Sequence, residues 1–221
     1  MKPIQIIPAI LVKTKAEYQK RLRQVQGLVK TVQVDIMDGL FVPNKTVQLK
    51  ELIDTKTKLN LEIQLMVKNP FIYLEDCKKL NAQMVIFHYE SIKSDYEILR
   101  FIREARSYRL KVAIAINPQT SASKIFSYIP LVDMVLVMTV NPGFGSQKLI
   151  PSTLKKIEEI RKKFADVDIE VDGGINKETA PLVTKVGANK LVEGSAIFSS
   201  FDIAKAIKQI KESCKGGICT I

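Results

Sequence analysis

The 221-residue sequence lacks tryptophan, long apolar runs and any regular spacing of its few cysteines. Its longest apolar stretches, residues 6–12 and 134–138, are far too short to span a bilayer, which predicts no membrane partner. The three cysteines, Cys77, Cys214 and Cys219, have neither disulfide nor zinc-finger spacing. Reduced thiols and a cytoplasmic location are therefore expected.

The strong positive charge does not come with the other features of a nucleic-acid-binding protein. The formal net charge is +11, yet no basic block carries interleaved aromatic residues. Lysines 155, 156, 162 and 163, for example, alternate with glutamates 158 and 159. This pattern is typical of a mixed-charge, solvated helix face, so we predict no nucleic-acid partner. The positive field would also attract small anions such as sugar phosphates.

Short β-branched runs recur along the chain, and longer amphipathic segments separate most of them. The runs predict strands at 5–10, 31–35, 60–64, 84–88, 111–116, 134–138, 168–172 and 190–192. The clearest predicted helices are 16–25, 70–78, 95–106, 151–164, 177–186 and 202–211. Eight units at a spacing of roughly 25 residues favour a closed α/β barrel over an open sheet. We predict one (β/α)8 TIM barrel over residues 1–221, with a mobile C-terminal tail at about 212–221.

Polar residues collect where three of the predicted strands end, which is the end of a TIM barrel that carries the chemistry. Gln33 and Asp35 are two apart on the second strand and share a face. Gln64 and Asp172 come from the third and seventh strands. Two carboxylates and two carboxamides would thus meet at one mouth, although each could instead cap the turn that follows it.

Three later loops are rich in glycine, and no strand is followed by Gly-x-Gly-x-x-Gly, so a dinucleotide is not expected. Backbone N–H groups in such loops can approach an anion closely. Consecutive loops at the end of the barrel are also where this fold binds phosphate. The candidate phosphate-binding residues are Gly143, Phe144, Gly145, Gly173, Gly174, Gly194 and Ser195.

At these positions the chain resembles the ribulose-phosphate 3-epimerases, which have a ribulose-phosphate-binding type of barrel. The matching motifs are VDIMDG at 34–39, FVPN at 41–44, LMV at 65–67, NP at 117–118, MTVNPGFG at 138–145, EVDGGIN at 170–176 and GSAIF at 194–198. They run in order from Pro8 to Phe198, nearly the whole chain.

The resemblance implies a carbohydrate isomerase of the pentose phosphate pathway. In that family, D-ribulose 5-phosphate and D-xylulose 5-phosphate interconvert through a cis-enediolate. Asp35 and Asp172 match the two acid–base groups, one on each face of the substrate. The residues that match the rest of the substrate site are Gln33, Gln64, His88 and the methionines Met37, Met66 and Met138. His88 matches a residue that is not a metal ligand, and a hydrogen-bonded structural role is favoured for it.

The sequence departs from the family at the metal site. The family binds a divalent metal through two histidines and two aspartates, which match Gln33, Gln64, Asp35 and Asp172. The sequence has one histidine, His88, so this site cannot be assembled. Gln is a poor ligand for zinc, iron or cobalt. We therefore expect no firmly bound cofactor; a weak oxygen-rich site for Mg²⁺ or Mn²⁺ is the alternative.

Other departures from the family pattern leave more than one substrate possible. Ala9 stands where the family commonly has a serine that contacts the substrate, and Leu40, Ser146 and Glu193 also differ from the usual pattern. The first alternative is therefore an epimerase for another ketose phosphate, such as a ketohexose 6-phosphate. The second is a sugar-phosphate-binding protein without full catalytic activity. Family barrels are often dimers or hexamers, so a homo-oligomer is expected.

Overall fold

Eight parallel strands close into a barrel in the computed structural model, which describes residues 2–214. The strands pair in sequence order, and β8 pairs with β1. They are β1 (Gln5–Ile10), β2 (Thr31–Met37), β3 (Asn60–Met66), β4 (Met84–His88), β5 (Lys111–Ile116), β6 (Met134–Met138), β7 (Asp168–Asp172) and β8 (Lys190–Glu193). The predicted TIM-barrel fold is confirmed, with β2 and β3 each two residues longer than the pattern indicated.

The α-helices cover the outside of the barrel. They are α1 (Lys15–Val25), α2 (Leu74–Lys79), α3 (Asp95–Ser107), α4 (Thr153–Lys163), α5 (Ala180–Lys185), α6 (Ser195–Phe198) and α7 (Ile203–Ser213). Residues 38–59 and 117–133, all described, contain only short 3₁₀ turns between strands. The predicted helix 177–186 begins later, because Asn176 Oδ1 accepts from the N–H groups of Glu178 and Thr179 and holds the chain in a turn.

Helix α3 shows how the local sequence sets one of these elements. Ser94 caps its first turn by accepting from the Glu97 N–H. The apolar residues Ile98, Phe101, Ile102 and Ala105 recur at helical spacing and are buried against the barrel. Capping and an apolar stripe of this kind are together sufficient to place the helix.

The interior of the barrel is apolar in the middle and polar at both ends. Its middle layer includes Ile7, Ile86, Ala113, Leu136 and Val192. At the amino end of the strands, Lys190 Nζ lies 2.7 Å from Glu62 Oε1, and both side chains are buried. The opposite, carboxyl end holds the residues predicted to carry the chemistry.

Within residues 2–214, no helix is long and apolar enough to cross a membrane. Helix α7 continues to Ser213, inside the segment predicted as a mobile tail, and Cys214 is buried. The rest of that predicted tail, with Cys219, lies outside the described residues. Cys77 and Cys214 are both free thiols.

Candidate active site

The four predicted polar side chains lie together at the carboxyl end of the barrel. Strand β2 turns Gln33 and Asp35 to the same inner face, and Asp35 is paired in register with Gln64 of β3. Asp172 ends β7 on the other side of the opening. Gln33 and Gln64 are fully buried, and Asp35 is 4% exposed. Strand geometry alone therefore brings two carboxylates and two carboxamides into contact.

The amide nitrogen of Gln33 is at the centre of this group. Its Nε2 lies 2.9 Å from Asp35 Oδ1, 3.1 Å from Asp172 Oδ2 and 2.7 Å from Gln64 Oε1. Its own Oε1 is buried and has no hydrogen-bond partner among the described residues. A buried carbonyl without a partner is costly, about 1–3 kcal/mol. The two N–H groups of this amide, shared among the three acceptors, offset that cost and hold both aspartates toward a common point.

These residues do not fit the divalent metal of the matching family. Among residues 2–214, no group of three or more His, Cys, Asp or Glu side chains is arranged to hold a metal ion. The middle of the set contains an N–H donor, Gln33 Nε2, where a metal would need acceptor atoms. The remaining amide oxygen is neutral and hard, which suits zinc, iron or cobalt poorly.

Burial changes the acid–base behaviour of both aspartates. Burial, followed by the nearby charge of Asp172, raises the pKa of Asp35 well above its ordinary value, although the Gln33 N–H opposes the shift. Burial likewise raises the pKa of Asp172 to about 6, against opposing contributions from Gln33 and His88. Carboxyls with pKa values closer to neutrality are better suited to exchange protons with a carbon acid.

The aspartates open into a cavity of about 290 Å³. The cavity is lined by Asp35, Asp172, the three predicted methionines and six of the seven predicted loop residues: Met37, Met66, Met138, Gly143, Phe144, Gly145, Gly174, Gly194 and Ser195. The predicted residues Gln33, Gln64 and His88 are not among the lining residues. They lie buried next to Asp35 and Asp172, so they reach the cavity only through the aspartates.

Gly173 was predicted to bind phosphate but does not line the cavity. Its φ is +113°, and a Cβ added there would come within 2.2 Å of Val140 Cγ2. Packing against the loop after β6 therefore explains this glycine. Gly174 does line the cavity; its φ is +66°, and an added Cβ would come within 2.3 Å of Leu149 N.

The loops at the far end of the cavity hold one another in place. Ser195 Oγ accepts from the Ser146 N–H at 3.1 Å and lies 2.9 Å from Ser146 Oγ. Asn44 Nδ2 donates to the Gly143 carbonyl at 2.7 Å, which ties the loop after β2 to the loop after β6. These contacts form a small polar end to the cavity, rich in backbone N–H groups.

Two charged residues that were not predicted as site residues, Arg21 and Glu193, also line the cavity. Arg21 of α1 has its guanidinium carbon 4.2 Å from the centre of the Phe198 ring and donates to the Phe198 carbonyl. Nothing in the spacing of α1 distinguishes Arg21 from its neighbouring basic residues. Glu193, by contrast, could have been found, because it ends β8 at the same mouth as the other site residues.

Glu193 is a buried carboxyl in the wall of the cavity. Its Oε1 accepts from the Ala196 N–H at 2.5 Å. Burial raises the pKa of Glu193 to about 7, against that hydrogen bond and with a small contribution from Asp172. The cavity therefore contains three carboxyl groups, and only two of them were predicted.

Comparison with known proteins identifies close relatives. A family model described as the ribulose-phosphate 3 epimerase family matches residues 5–198. The chain is 38% identical to ribulose-phosphate 3-epimerase of Bacillus subtilis (strain 168) over 218 residues, covering 95% of this chain and 99% of the relative. It is 39% identical to ribulose-phosphate 3-epimerase of Methanocaldococcus jannaschii, covering 81% of this chain and 77% of the relative.

Solved structures agree on the fold. The 3-hexulose-6-phosphate synthase of Salmonella typhimurium superposes with a TM-score of 0.73 at 15% identity, covering 97% of this chain and all of that one. At such low identity the match supports only the barrel fold.

Proposed function

The chain belongs to the ribulose-phosphate 3-epimerase family of isomerases, and we propose that it interconverts D-ribulose 5-phosphate and D-xylulose 5-phosphate. One observation carries the proposal: Asp35 of β2 and Asp172 of β7, separated around the barrel by β8 and β1, face one cavity whose far end consists of glycine and serine loops. Epimerisation at C3 needs a proton removed from one face and another delivered to the opposite face. Two opposed carboxyls supply both steps.

The environments of the two aspartates suggest which one starts the reaction. Asp172, with a pKa of about 6, is mainly ionised at neutral pH and is proposed to remove the C3 proton. Asp35, whose pKa is raised well above its ordinary value by burial and by the nearby charge of Asp172, is proposed to deliver a proton to the other face of the enediolate. Environments that move the pKa values of neighbouring acids apart are a common way to separate acid and base roles. The reverse reaction exchanges the two roles.

We further propose that the reaction proceeds without a tightly bound metal. The proposal is supported by the position of Gln33 Nε2, which donates to Asp35 and Asp172 where the family's metal would bind both. Because Gln33 does not line the cavity, its N–H groups act on the two aspartates and not on the enediolate oxygens. The methionine wall formed by Met37, Met66 and Met138 keeps the reacting carbon in an apolar environment.

The phosphate is proposed to bind at the loop end of the cavity. Backbone N–H groups around Gly145, Gly174 and Gly194 are close to the cavity, and Ser146 and Ser195 add hydroxyls. Arg21 adds a positive charge to the same cavity wall. Such a combination favours a phosphate dianion over an uncharged sugar.

A different ketose phosphate is the second candidate. It is favoured by the wall next to the reacting carbons, where Ala9 replaces a substrate-contacting serine and Glu193 adds a carboxyl. A ketohexose 6-phosphate would place its additional hydroxyl-bearing carbon along this wall. A binding protein without catalysis is the third candidate, and the presence of both aspartates argues against it.

Proton exchange with solvent provides the test. The protein, extensively chelated or loaded with Mg²⁺ or Mn²⁺, is incubated with D-ribulose 5-phosphate in deuterated water, and deuterium at C3 and the epimer are followed by NMR. Exchange and epimer formation in the chelated protein are expected. Asp35→Asn and Asp172→Asn should abolish the epimer, whereas Asp54→Asn, at an exposed ion pair with Lys15, should leave the rate unchanged.

Three results would count against the proposal. Binding without exchange would identify a non-catalytic protein, and exchange only on a ketohexose 6-phosphate would change the substrate. Complete loss on chelation, restored by one metal, would show that a metal is required.

We also propose a cytoplasmic location and a homo-oligomer. The location is supported by Cys77 and Cys214, which are free thiols. The oligomer rests on the resemblance to family members, and light scattering of the purified protein tests it.

A further inference from the structure

We infer that His88, held by Glu90 and Asn117, is a positioning residue that fixes the orientation of the Gln64 amide and, through it, the contacts of Gln33 with the two aspartates. The inference deepens the proposed epimerase function and rests on it for its catalytic consequence. Its structural part concerns only hydrogen bonds and can be tested without any substrate.

The surroundings of His88 determine which ring nitrogen carries the proton. His88 is fully buried at the end of β4, and its Nδ1 lies 3.1 Å from Asn117 Oδ1 and 3.7 Å from Glu90 Oε2. Both neighbours are acceptors, so in a neutral ring Nδ1 is the nitrogen that carries the proton. Nε2 is then left with a free lone pair.

Glu90 is itself firmly placed and ionised. Its Oε1 accepts from the Asn117 N–H at 2.8 Å and from the Thr120 hydroxyl. Burial opposes its ionisation, but hydrogen bonds from His88, Thr120 and Asn117 lower the pKa of Glu90 overall. Its Oε2 is buried with no other partner among the described residues, which leaves it facing the histidine ring.

The free lone pair of His88 selects one orientation of Gln64. Gln64 Nε2 lies 3.0 Å from His88 Nε2 and donates to it. The other end of the same amide, Oε1, then accepts from Gln33 Nε2 at 2.7 Å. The proton position on one imidazole is thus transmitted across β4, β3 and β2.

Each orientation of Gln64 has a conflict that a proton must relieve. In the orientation above, Gln64 Oε1 also lies 3.0 Å from Asp172 Oδ2 and 3.2 Å from Asp35 Oδ1, so one of those carboxyls must carry a proton and donate it to the amide oxygen. With the amide turned by half a rotation, Gln64 Nε2 would lie 3.0 Å from Asp172 Oδ2 and 3.2 Å from Asp35 Oδ1, but also 2.7 Å from Gln33 Nε2. Two amide nitrogens at that distance would both be donors. Its Oε1 would also face His88 Nε2 at 3.0 Å, which is favourable only if that nitrogen carries a proton.

The tautomer of His88 therefore decides which glutamine amide donates hydrogen bonds to the two aspartates. In the Nδ1–H tautomer, Gln33 points its N–H groups at Asp35 and Asp172, and Gln64 holds Gln33 in place. In the Nε2–H tautomer, Gln64 would turn toward the aspartates and displace Gln33. His88 acts only through these amides, since it does not line the cavity.

The test uses the fact that His88 is the sole histidine in the sequence. Labelling the protein with ¹⁵N-histidine gives the spectrum of one imidazole, and long-range couplings identify the protonated nitrogen. In the full-length protein at neutral pH, we expect a protonated Nδ1 and a bare Nε2. Gln64→Leu should move the Nε2 resonance, and Glu90→Gln should change the proportion of the two tautomers. Glu178→Gln, an exposed matched control, should leave the spectrum unchanged.

Kinetics with D-ribulose 5-phosphate tests the catalytic consequence. His88→Leu removes the acceptor for Gln64 and should lower kcat by up to about 10²-fold, the scale of loss when a reacting group is misplaced, with little change in KM. His88→Gln retains an acceptor oxygen near the Nε2 position and should recover much of that loss. A purely packing role would predict the reverse order, because leucine is the more apolar replacement in a buried site.

The outcomes separate this inference from the proposed function. A protonated Nε2 in the wild-type protein, or full kcat in folded His88→Leu, overturns the inference whatever the substrate. The expected tautomer and its expected response to Gln64→Leu, in a protein that does not epimerise D-ribulose 5-phosphate, would support the network and reject only the substrate.

Discussion

Gln33 is the residue around which the site is arranged. Its Nε2 contacts both aspartates and Gln64, and no other described side chain contacts all three. A neutral amide in this position orients the carboxyls without supplying a full positive charge. The aspartates consequently retain raised pKa values, which a divalent cation at the same point would lower.

Replacing both glutamines should convert the site to metal dependence. Gln33→His with Gln64→His would assemble two imidazoles and two carboxylates, a donor set that suits a divalent transition metal. We expect the double variant to bind Zn²⁺ or Co²⁺ and to lose activity on chelation, whereas the wild type keeps its activity. Calorimetry and the exchange assay measure the two effects, with Gln83→His at an exposed position as the control. A double variant that binds no metal would contradict this account of the site.

The pKa of Asp172 predicts the acid side of the pH profile. Below about pH 6 Asp172 becomes protonated and can no longer accept the C3 proton. The value of kcat/KM should therefore fall about tenfold per pH unit below that point. Glu193 could produce a similar limb, since its pKa is about 7. Glu193→Gln separates the two: the limb near pH 6 should persist, and its disappearance would assign the limb to Glu193.

At the scale of elements, the loops after β6, β7 and β8 have separate roles. Gly173 allows the loop after β7 to pack on Val140 in the loop after β6, while Gly174 lets its own loop pass close to the backbone of Leu149. The loop after β8 is joined to the loop after β6 through Ser146 and Ser195. The polar end of the cavity therefore depends on backbone approach more than on side-chain chemistry.

Two glycine substitutions should differ in their effect on KM. In Gly174→Ala, the new Cβ would lie 2.3 Å from Leu149 N at a φ of +66°, so the backbone must move. We expect KM for the phosphorylated sugar to rise by at least about tenfold, because misplaced N–H groups no longer converge on the anion. Gly27→Ala is the matched control: Gly27 also has a positive φ, +85°, but it does not line the cavity, and nothing lies within 4 Å of the new Cβ. Equal KM values for the two variants would contradict this role of Gly174.

At the scale of the whole molecule, the barrel carries buried charge at both ends of its interior. Glu62 and Lys190 form an ion pair at the amino end, and Glu170 lies next to Lys190 in register. Neither carboxyl oxygen of Glu170 has a hydrogen-bond partner among the described residues. Burial and the charge of Glu62 raise the pKa of Glu170 well above its ordinary value, so Lys190 is the cation on which this end depends.

Lys190→Met should therefore destabilise the protein strongly. Removing one partner of a buried ion pair leaves an uncompensated charge and typically costs about 3–5 kcal/mol of unfolding free energy. Denaturant unfolding at pH 7.5 measures the loss, and acid should recover part of it because a protonated carboxyl carries no charge. Lys79→Met, at the exposed pair with Glu75, should cause no comparable loss. Similar losses in the two variants would show that the buried pair contributes little.

The sequence by itself determined the strands, the end of the barrel that holds the site, and the residue types gathered there. These follow from local rules: side chains alternate along a strand, parallel strands place their carboxyl ends at one edge, and glycines mark close backbone approach. Because parallel strands end at one edge, the presence of Asp35 and Asp172 at the same end of the barrel could be predicted. The shortened α5 could not, because the Asn176 turn competes with a helical pattern that is otherwise complete.

Only the tertiary structure decided how those residues are oriented. The position of Gln33 Nε2 between two aspartates depends on the relative register of β2, β3 and β7, which no local pattern sets. The contact of Gln64 is with His88 at the end of β4, which in turn contacts Asn117 just after β5. Arg21 lines the cavity because α1 packs beside α6, nearly the whole chain apart. Hydrogen-bond direction and cavity walls arise from contacts distant in sequence, so they become definite only when the barrel closes.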